Sequence, residues 1–470
     1  MKIEQLYTGC LAQGAYYIVS GNEAAIVDPL REIKPYLDRA ERDGVTIKYV
    51  LETHFHADFV SGHVDLARAT GARIIFGPTA KPSFEAHVAR DGEELKLGTE
   101  TIRVLHTPGH TMESCCFLAV DETGVEKALF SGDTLFIGDV GRPDLAQRPG
   151  LTLEDLAGYL FDSLQQKVLT LPDDVVVYPA HGAGSLCGKK MSSETTDTIG
   201  HQRTTNYALK IGDKRDFITA VTSGLTTPPA YFPLNVRLNK EGYESFSEIL
   251  HRSLRPLSPA SFETAAEELH ALILDTRDPE EFVQGFVPMA VNIGLNGAFA
   301  PWAGALIPGI NTPILLITKP GKEEEAVTRL SRVGFDNVVG YLEGGFASWI
   351  RAGQPVDTIA TVTPEQLHDV WEDYPFFEII DVRRQTEFDA EHIVGSHNMP
   401  LDRVNDSHEH MDRKKTYYVT CAGGYRSVIF ISILKSRGFE SLINVQGGFA
   451  ALKKSGKFSV SDYVEPVSLL

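Results

Sequence analysis

Histidines and aspartates recur at the points where apolar segments of the N-terminal half end. The polar side chains placed in this way are His54, His56 and Asp58, then His110, Asp133 and His181. Imidazole and carboxylate groups are the ligands that hold first-row metals, and α/β folds place their chemistry at strand ends. The pattern therefore predicts a metal centre, although spacing alone does not decide whether His56 or Asp133 completes a set with His54 and His110.

A second candidate site lies in YYVTCAGGYRS (417–427), an apolar strand that breaks into a glycine-rich loop before a helical stretch. The glycines permit tight curvature, so that successive backbone N–H groups can point at the sulfur of Cys421. The helix N-terminus and the guanidinium of Arg426 add positive potential, which stabilises a thiolate or a persulfide anion. We predict that Cys421 is a nucleophile and that Arg426 assists it.

Arg142 and Cys187 lie in loops close to the predicted metal ligands in sequence. Arg142 could grip the carboxylate of a thiol carrier, or it could form a structural ion pair with Asp139 or Asp144. Cys187, in the segment GSLCG, could handle sulfur beside the metal, or it could be a passive thiol. Both pairs of alternatives stay open from the sequence. The cysteines predicted to be structural are Cys10, Cys115 and Cys116.

The elements that must position these groups alternate between short apolar strands and helical stretches. The N-terminal half contains strand-like segments such as AYYIV (15–19) and a helical stretch at 33–44. A linker rich in Ser and Pro, 253–262, marks a boundary. Beyond it the chain repeats itself, since LILDTRDPEEF (272–282) matches EIIDVRRQTEF (378–388). Each repeat has about 100 residues of alternating strands and helices, which is typical of a small parallel α/β domain.

The bulk composition is that of a soluble protein with several domains. The 470 residues carry a net charge of −19, and 43% of them are hydrophobic. An acidic surface of this kind disfavours nucleic acid and anionic membranes as partners, and no apolar stretch is long enough to span a bilayer. The N-terminal segment does not resemble a signal peptide. Five cysteines without a CxxC pair indicate a reducing compartment, so we expect a cytoplasmic protein.

The order of THFHADF, TPGH, SGDTLF and PAHG resembles the motif order of the metallo-β-lactamase superfamily. The resemblance implies an αββα sandwich over residues 1–250, with metal ligands on strand-end loops. Two-metal hydrolases of that superfamily usually read THxHxDH. Here Phe59 replaces the last histidine, so a binuclear hydrolase site is not expected.

The wider wording THFHADFVSGH, TPGHTMES, FSGDTLFIGDVGRPDL and YPAHGAGSLCG resembles the persulfide dioxygenases. The resemblance implies one mononuclear non-haem Fe(II), held by His54, His110 and Asp133. Two imidazoles and one carboxylate leave positions open on iron, where O2 and a substrate sulfur can bind side by side. The side chains that would then lie behind the ligands and orient them, or a bound water, are His56, Asp58 and His181.

The span from Cys421 to Arg426, with the flanking D-x-R and GGF motifs, resembles the active loop of the rhodaneses. The resemblance implies an active sulfurtransferase domain over residues 360–470. The first repeat, 255–355, has no cysteine in its corresponding segment, and Lys319 or a neighbour stands where the nucleophile belongs. We predict a rhodanese-like domain without catalytic activity there, serving as a spacer or docking wall, and we expect the second repeat to fold and transfer sulfur alone.

Together the resemblances imply a multidomain α/β and α+β protein, with a metallo-β-lactamase sandwich followed by two rhodanese-like domains with parallel sheets. The implied reactions are oxidation of a low-molecular-weight thiol persulfide by O2 to sulfite, and transfer of persulfide sulfur through Cys421 to sulfite, giving thiosulfate. Glutathione, coenzyme A and other thiols stay open as the carrier, as does assembly into a homo-oligomer. The alternatives are a thioester hydrolase of the glyoxalase II type with a sulfur-carrier rhodanese module, and a module that delivers persulfide to a protein acceptor.

Overall fold

The computed structural model describes residues 1–373 and 378–465. Residues 374–377 and 466–470 of the predicted third domain lie outside the described residues. The chain divides into a first compact unit made mainly of Met1–Phe246 and a second unit that begins at Ser247. Among the described residues, no helix combines the length and apolar character needed to cross a bilayer.

Two six-stranded sheets form the centre of the first unit, and each keeps its strands in chain order. The first sheet contains β1 (Lys2–Thr8), β2 (Gln13–Ser20), β3 (Glu23–Val27), β4 (Thr46–Glu52), β5 (Arg73–Phe76) and β6 (His87–Val88). The second contains β7 (Glu94–Leu97), β8 (Glu100–His106), β9 (Cys115–Val120), β10 (Glu126–Gly132), β11 (Val176–Pro179) and β12 (Asp197–Thr198). From β3 to β6 the strands run parallel, because helices or loops cross back over the sheet between them.

The two sheets pack face to face, and helices cover their outer faces. Buried side chains from both sheets, among them Tyr16, Phe117 and Phe130, form the central core. The helices of this unit are α1 (Lys34–Asp43), α2 (His63–Thr70), α3 (Leu153–Ser163), α4 (Ile199–Thr205), α5 (Lys214–Thr222) and α6 (Phe232–Glu241). One further helix, α7 (Phe246–Ser253), begins at the border of the unit. Separate apolar clusters attach α1 and α2 to the first sheet, and α3 and α5 to the second. The layers are therefore helix, sheet, sheet, helix, as predicted.

The second unit consists of two copies of one five-stranded parallel fold. The first copy contains β13 (Pro256–Leu257), α8 (Pro259–Leu269), β14 (Leu272–Asp275), α9 (Pro279–Phe282), β15 (Val291–Asn292), α10 (Phe299–Leu306), β16 (Ile314–Ile317), α11 (Glu323–Ser331), β17 (Val338–Leu342) and α12 (Gly345–Arg351). The second contains β18 (Thr361–Val362), α13 (Pro364–Asp373), β19 (Glu378–Asp381), α14 (Gln385–Ala390), β20 (His397–Asn398), α15 (Val404–Ser407), β21 (Tyr417–Thr420), α16 (Tyr425–Ser436), β22 (Leu442–Val445) and α17 (Gly448–Ser455). Their strand orders, β13-β17-β16-β14-β15 and β18-β22-β21-β19-β20, are equivalent.

The D-x-R motif that revealed the duplication is a structural brace in both copies. Arg277 pairs with Asp275 through two nitrogens, at 3.0 and 2.6 Å, and Arg383 pairs with Asp381 at 2.9 and 2.6 Å. Each guanidinium also lies over a phenylalanine ring. The Cζ atom of Arg277 is 4.2 Å from the ring centroid of Phe346, and that of Arg383 is 4.0 Å from the ring centroid of Phe449, the last residue of the GGF motif. The predicted fold class, a metallo-β-lactamase sandwich followed by two rhodanese-like domains, is confirmed.

Candidate metal centre and sulfur-transfer loop

Four strand ends of the first unit bring the predicted histidines and aspartates together. His54 follows β4, His110 follows β8, Asp133 follows β10 directly and His181 follows β11, and all four are at least 98% buried. The strands converge because the two sheets pack against each other, so that residues 23 to 127 positions apart in sequence meet at one edge. The structure therefore places the predicted ligands in one cluster.

His54, His110 and Asp133 each offer one ligand atom to a common point, and these atoms lie within 4.8 Å of one another. His110 Nε2 is 3.4 Å from Asp133 Oδ2, and His54 Nε2 is 3.9 Å from the same oxygen. Both carboxylate oxygens of Asp133 are buried without a hydrogen-bond partner in the described residues. A buried carboxylate in that state is costly unless a cation compensates it, so this donor set fits a metal ion.

The hydrogen bonds behind the two imidazoles fix which nitrogen faces the common point. His110 Nδ1 lies 2.9 Å from the carbonyl oxygen of Arg142. A carbonyl oxygen only accepts, so Nδ1 carries a proton, and in the neutral ring the lone pair is then on Nε2. His54 Nδ1 lies 3.0 Å from Thr53 Oγ1, which donates its own proton to Asp28 Oδ2 at 2.8 Å. Thr53 therefore accepts from His54, and the Nε2 lone pair of His54 also points inward.

Asp28 anchors this arrangement from the end of β3. Its side chain also accepts from the Thr53 backbone N–H at 2.8 Å, and its own φ of 47° lies in the left-handed region that few aspartates adopt. Burial, reinforced by the neighbouring imidazoles, holds the pKa of His54 well below its usual range. His54 is therefore neutral and available as a ligand. Sequence reasoning missed both Asp28 and Thr53, although Asp28 closes an apolar strand as the predicted ligands do.

His56 belongs to a different group from His54 and His110. Its Nε2 lies 3.1 Å from Asp28 Oδ1 and 3.8 Å from Glu52 Oε2. Burial, the largest single effect, lowers the pKa of His56, but the negative charges of Asp28 and Glu52 outweigh it and raise the pKa to about 9. Phe59 stacks on His56 with ring centroids 4.3 Å apart and is fully buried. An apolar ring thus occupies the position that carries a histidine in THxHxDH sequences.

Asp58, His181 and Cys187 line the other side of Asp133. His181 Nε2 lies 3.4 Å from Asp58 Oδ2 and 3.5 Å from Asp133 Oδ1. Ligand atoms of Asp133, His181 and Cys187 also lie within 4.8 Å of one another. Burial, with the negative charges of Asp58 and Asp133, raises the pKa of Cys187 well above its usual range. Cys187 is therefore a neutral thiol next to the candidate metal ligands, and it packs with Phe136 and Met191.

Arg142 forms the ion pair that the sequence left open, and its partner is Asp144. Nε and Nη2 each donate to one carboxylate oxygen at 2.7 Å. Further donors reach the carbonyl oxygens of Leu186, at 3.0 Å, and Thr226. The side chain is 97% buried. This geometry favours the structural alternative over a grip on a substrate carboxylate, and the backbone carbonyl of Arg142 serves instead to orient His110.

The Cys421 loop lies between β21 and α16. The backbone N–H of Gly424 points at Cys421 Sγ, 3.1 Å away, and Cys421 Sγ lies 3.6 Å from Ser427 Oγ. Gly424 has φ +107°, a conformation that only glycine adopts readily. Cys421 is 99% buried, whereas the next two loop residues are exposed. The sulfur therefore sits at the base of a short open loop.

The GGF motif closes this loop from behind. A Cβ on Gly448 would lie 2.2 Å from the carbonyl oxygen of Cys421, so that only glycine fits there. The backbone N–H of Phe449 donates to the same carbonyl oxygen at 2.6 Å. Arg426, predicted to assist the sulfur, forms two hydrogen bonds with Glu387, at 2.5 and 2.8 Å. Its charge is thus shared between Glu387 and the loop, a pairing the sequence did not reveal.

In the first repeat Thr318 stands at the position of Cys421. Asp275 pairs with Ile317 in the sheet as Asp381 pairs with Thr420, so the next residue along each chain is Thr318 or Cys421. A Cβ on Gly345 would approach the Thr318 carbonyl oxygen, as one on Gly448 would approach that of Cys421. Lys319 instead pairs with Asp278 and Glu281. The first repeat therefore has no thiol at its loop.

Known proteins match both units. A family model described as the metallo-beta-lactamase superfamily matches residues 8–181, and one described as the rhodanese-like domain matches residues 258–352 and 363–455. The crystal structure of a metallo-beta-lactamase from Staphylococcus aureus subsp. aureus COL is 31% identical, with a TM-score of 0.63. The match covers 73% of this chain and 98% of that one.

Curated relatives match about a third of the chain or slightly more. A probable hydroxyacylglutathione hydrolase of Schizosaccharomyces pombe is 33% identical over 34% of this chain and 59% of its own length. An uncharacterized protein of Mycobacterium leprae is 31% identical over 40% of this chain and 94% of its own length. For the first relatives named as hydroxyacylglutathione hydrolases, the chain spans 59% and 64% of their length.

Proposed function

Because the chain belongs to the metallo-β-lactamase superfamily and carries two rhodanese-like domains after that domain, we propose that it joins two reactions of persulfide sulfur. In the first, a thiol persulfide, O2 and water give the thiol, sulfite and two protons. The four electrons lost by the outer sulfur reduce O2. In the second, sulfur is transferred through Cys421 to sulfite. Glutathione and coenzyme A persulfides are the proposed substrates, and the proposed setting is the cytoplasm.

The donor set of His54, His110 and Asp133 carries the first half of this proposal. One ligand atom from each of two imidazoles and a carboxylate without a hydrogen-bond partner among the described residues lie within 4.8 Å of one another. This set of two histidines and one carboxylate is the one that non-haem iron oxygenases use. Bound Fe(II) would supply electrons for O2 and open positions for O2 and the substrate sulfur.

The surrounding residues hold this centre in place. Arg142 O and Thr53 Oγ1 orient the two rings, while Asp58 and His181 lie on the far side of Asp133, where they can hold a water or accept a proton. Phe59 supports a single metal ion, because it removes a nitrogen ligand that a second ion would use.

The Cys421 loop carries the second half. The Cys421 thiolate attacks the outer sulfur of the persulfide, the S–S bond breaks, and the departing thiolate takes a proton to leave as free thiol. Sulfite then attacks the outer sulfur of the Cys421 persulfide through its own sulfur, which releases thiosulfate and regenerates the Cys421 thiolate. The Gly424 N–H, which points at Sγ, and the nearby charge of Arg426 can stabilise the anion in both steps.

The direct test uses the full chain loaded with Fe(II) under anaerobic conditions. Oxygen uptake is then recorded with glutathione persulfide and with coenzyme A persulfide, while sulfite and thiosulfate are quantified. We expect O2 uptake in proportion to bound iron, with about one iron per chain at saturation. Absence of O2 uptake with every persulfide tested, in a protein that binds iron, would refute the dioxygenase half.

Hydrolysis of a thioester is the second candidate function. It is favoured by the curated relatives named as hydroxyacylglutathione hydrolases, and by the grouping of Asp133, His181 and Cys187, which could take a second ion. Release of thiol from a hydroxyacylglutathione by the same preparations distinguishes the two. The hydrolase would be favoured if protein with two metal ions per chain turned over the thioester but did not turn over the persulfide.

A further inference from the structure

The helix that follows the Cys421 loop is buried on every side. From Ser427 to Leu434, each residue of α16 is buried, whether apolar or not. A helix packed on one sheet needs only one apolar stripe. The second face of α16 lies against β15 of the first repeat, where the Asn292 N–H donates to Ser432 Oγ at 3.0 Å. The repeat without a cysteine thus packs on the helix that begins at the active loop.

The first residue of this helix, Tyr425, belongs to the loop and reaches into the first repeat. Its hydroxyl donates to the carbonyl oxygen of Gly294 at 2.8 Å. Its ring lies against Gly297 so closely that a Cβ there would be 2.5 Å from the ring carbon Cζ. Burial raises the pKa of Tyr425, so the hydroxyl stays a donor. The segment 294–297 therefore forms a socket for this tyrosine, and the socket requires glycine at 297.

Tyr425 stands between the two loop residues that act on the sulfur. Gly424 before it presents its N–H to Cys421 Sγ, and Arg426 after it carries the guanidinium paired with Glu387. An N–H donor stabilises an anion only while its direction is held. A tyrosine fixed at the hydroxyl and along the ring restricts the peptide units on both sides of it.

We infer that the repeat without a cysteine positions the catalytic loop of the other repeat, through the socket of Gly294 and Gly297 around Tyr425. Gly294, Gly297 and Tyr425 are positioning residues, and Cys421 remains the nucleophile. The inference rests on the proposed function only where the rate of sulfur transfer is measured. The second repeat is expected to fold and transfer sulfur alone, and this inference adds that the isolated fragment should transfer it more slowly than the full chain, because the fragment lacks the socket.

The test is Gly297→Ala in the full chain, with Gly309→Ala as the matched control. Both positions lie in the first repeat, outside the left-handed region of φ, and a Cβ at Gly309 meets nothing within 4 Å. The alanine at 297 must displace the tyrosine ring. We expect kcat for sulfur transfer to sulfite to fall about tenfold with little change in KM, because misplacement of a catalytic loop slows chemistry more than binding.

The second readout follows the sulfur itself. Alkylation of Cys421 by iodoacetamide is measured by peptide mass spectrometry over a range of pH, with Cys10 as the internal reference. Loss of the oriented N–H should raise the pH of half-maximal alkylation by about one unit. A change only in the accessibility of Cys421 to iodoacetamide would alter the maximal alkylation rate at high pH and leave the pH of half-maximal alkylation unchanged. Tyr425→Phe, which removes only the hydroxyl, should give a smaller shift in the same direction.

The outcomes separate this inference from the proposed function. If the wild type transfers no sulfur, the proposed function fails. The pH of half-maximal alkylation of Cys421 still tests whether the socket positions the loop. Gly297→Ala should have no further effect in a Tyr425→Ala background, because the clash is then gone. A normal midpoint in both Gly297→Ala and Tyr425→Phe, or equal losses in Gly297→Ala and Gly309→Ala, would overturn the inference.

Discussion

Thr53→Val should weaken metal binding without removing a metal ligand. The hydroxyl of Thr53 accepts from His54 Nδ1 at 3.0 Å and donates to Asp28 Oδ2 at 2.8 Å. Valine has nearly the same shape and breaks both bonds. In the metal-free protein the His54 ring can exchange its proton between nitrogens, whereas a metal at Nε2 forces the proton onto Nδ1, where it then has no acceptor. The cost therefore falls on the bound state.

The expected loss of Fe(II) affinity is set by the missing hydrogen-bond acceptor behind His54. Loss of a partner behind a metal-bound histidine costs about 10- to 100-fold in affinity, or about 1.4 to 2.8 kcal/mol. We expect the upper end, because the unsatisfied N–H is fully buried. The metal-free protein should also lose about 1–3 kcal/mol of unfolding free energy through Asp28, whose Oδ2 loses its donor. The assay is anaerobic competition for Fe(II) against a coloured chelator, with chemical denaturation alongside.

Two controls make the Thr53 test decisive. Thr53→Ser keeps the hydroxyl and should bind Fe(II) with nearly the wild-type affinity. Thr101→Val removes a hydroxyl of similar burial at the start of β8, where it accepts from Lys96 Nζ at 2.7 Å, and should leave Fe(II) binding unchanged. Fe(II) affinity within threefold of wild type in the valine variant would refute the proposed orientation of His54.

Two further variants separate the two sites, and a third tests the number of metal ions. His110→Ala should lose bound iron and O2 uptake while sulfur transfer at Cys421 continues, and O2 uptake near the wild-type level would contradict the ligand assignment. Cys421→Ser should keep O2 uptake but accumulate sulfite where the wild type yields thiosulfate, because a hydroxyl forms no persulfide; product analysis by anion chromatography checks this. Phe59→His should raise the metal content from about one toward two ions per chain, as measured by elemental analysis, and an unchanged content would show that more than this ligand is missing.

The sequence was most informative where chemistry coincides with the end of a strand. The placement of His54, His110 and Asp133 could be predicted because each follows an apolar strand, and the sheets bring strand ends together. The Asp28 anchor could not, since it depends on a hydrogen bond across two neighbouring strands to a threonine 25 residues away. The alternatives for Arg142 needed the side-chain geometry, because a grip on substrate and an ion pair with Asp144 have the same sequence signature.

In the second unit, the sheet register was needed to identify which residue of the first repeat corresponds to Cys421. From the sequence, Lys319 or a neighbour occupied it, and the pairing of β14 with β16 identifies Thr318. The contact of Tyr425 with Gly294 was also invisible, since it joins residues 131 positions apart across two domains. The one available signal was the helix α16, whose sequence YRSVIFISILKS lacks a polar face. Such a pattern indicates burial on both sides but does not identify the covering element.

The duplication separates what maintains this fold from what performs its chemistry. Both copies keep the buried pair Asp275–Arg277 or Asp381–Arg383, and an asparagine that donates to the two carbonyl oxygens of that motif. Breaking such a pair leaves an uncompensated buried charge, which costs about 3–5 kcal/mol, so both copies retain it whether or not they react. The copies differ in the loop after the central strand, where the second copy has Cys421 and the first copy has Thr318 at the equivalent position. A D-x-R motif thus identifies the fold, and only the loop indicates activity. The first copy, which has no cysteine at its loop, provides the surface that Tyr425 of the Cys421 loop contacts.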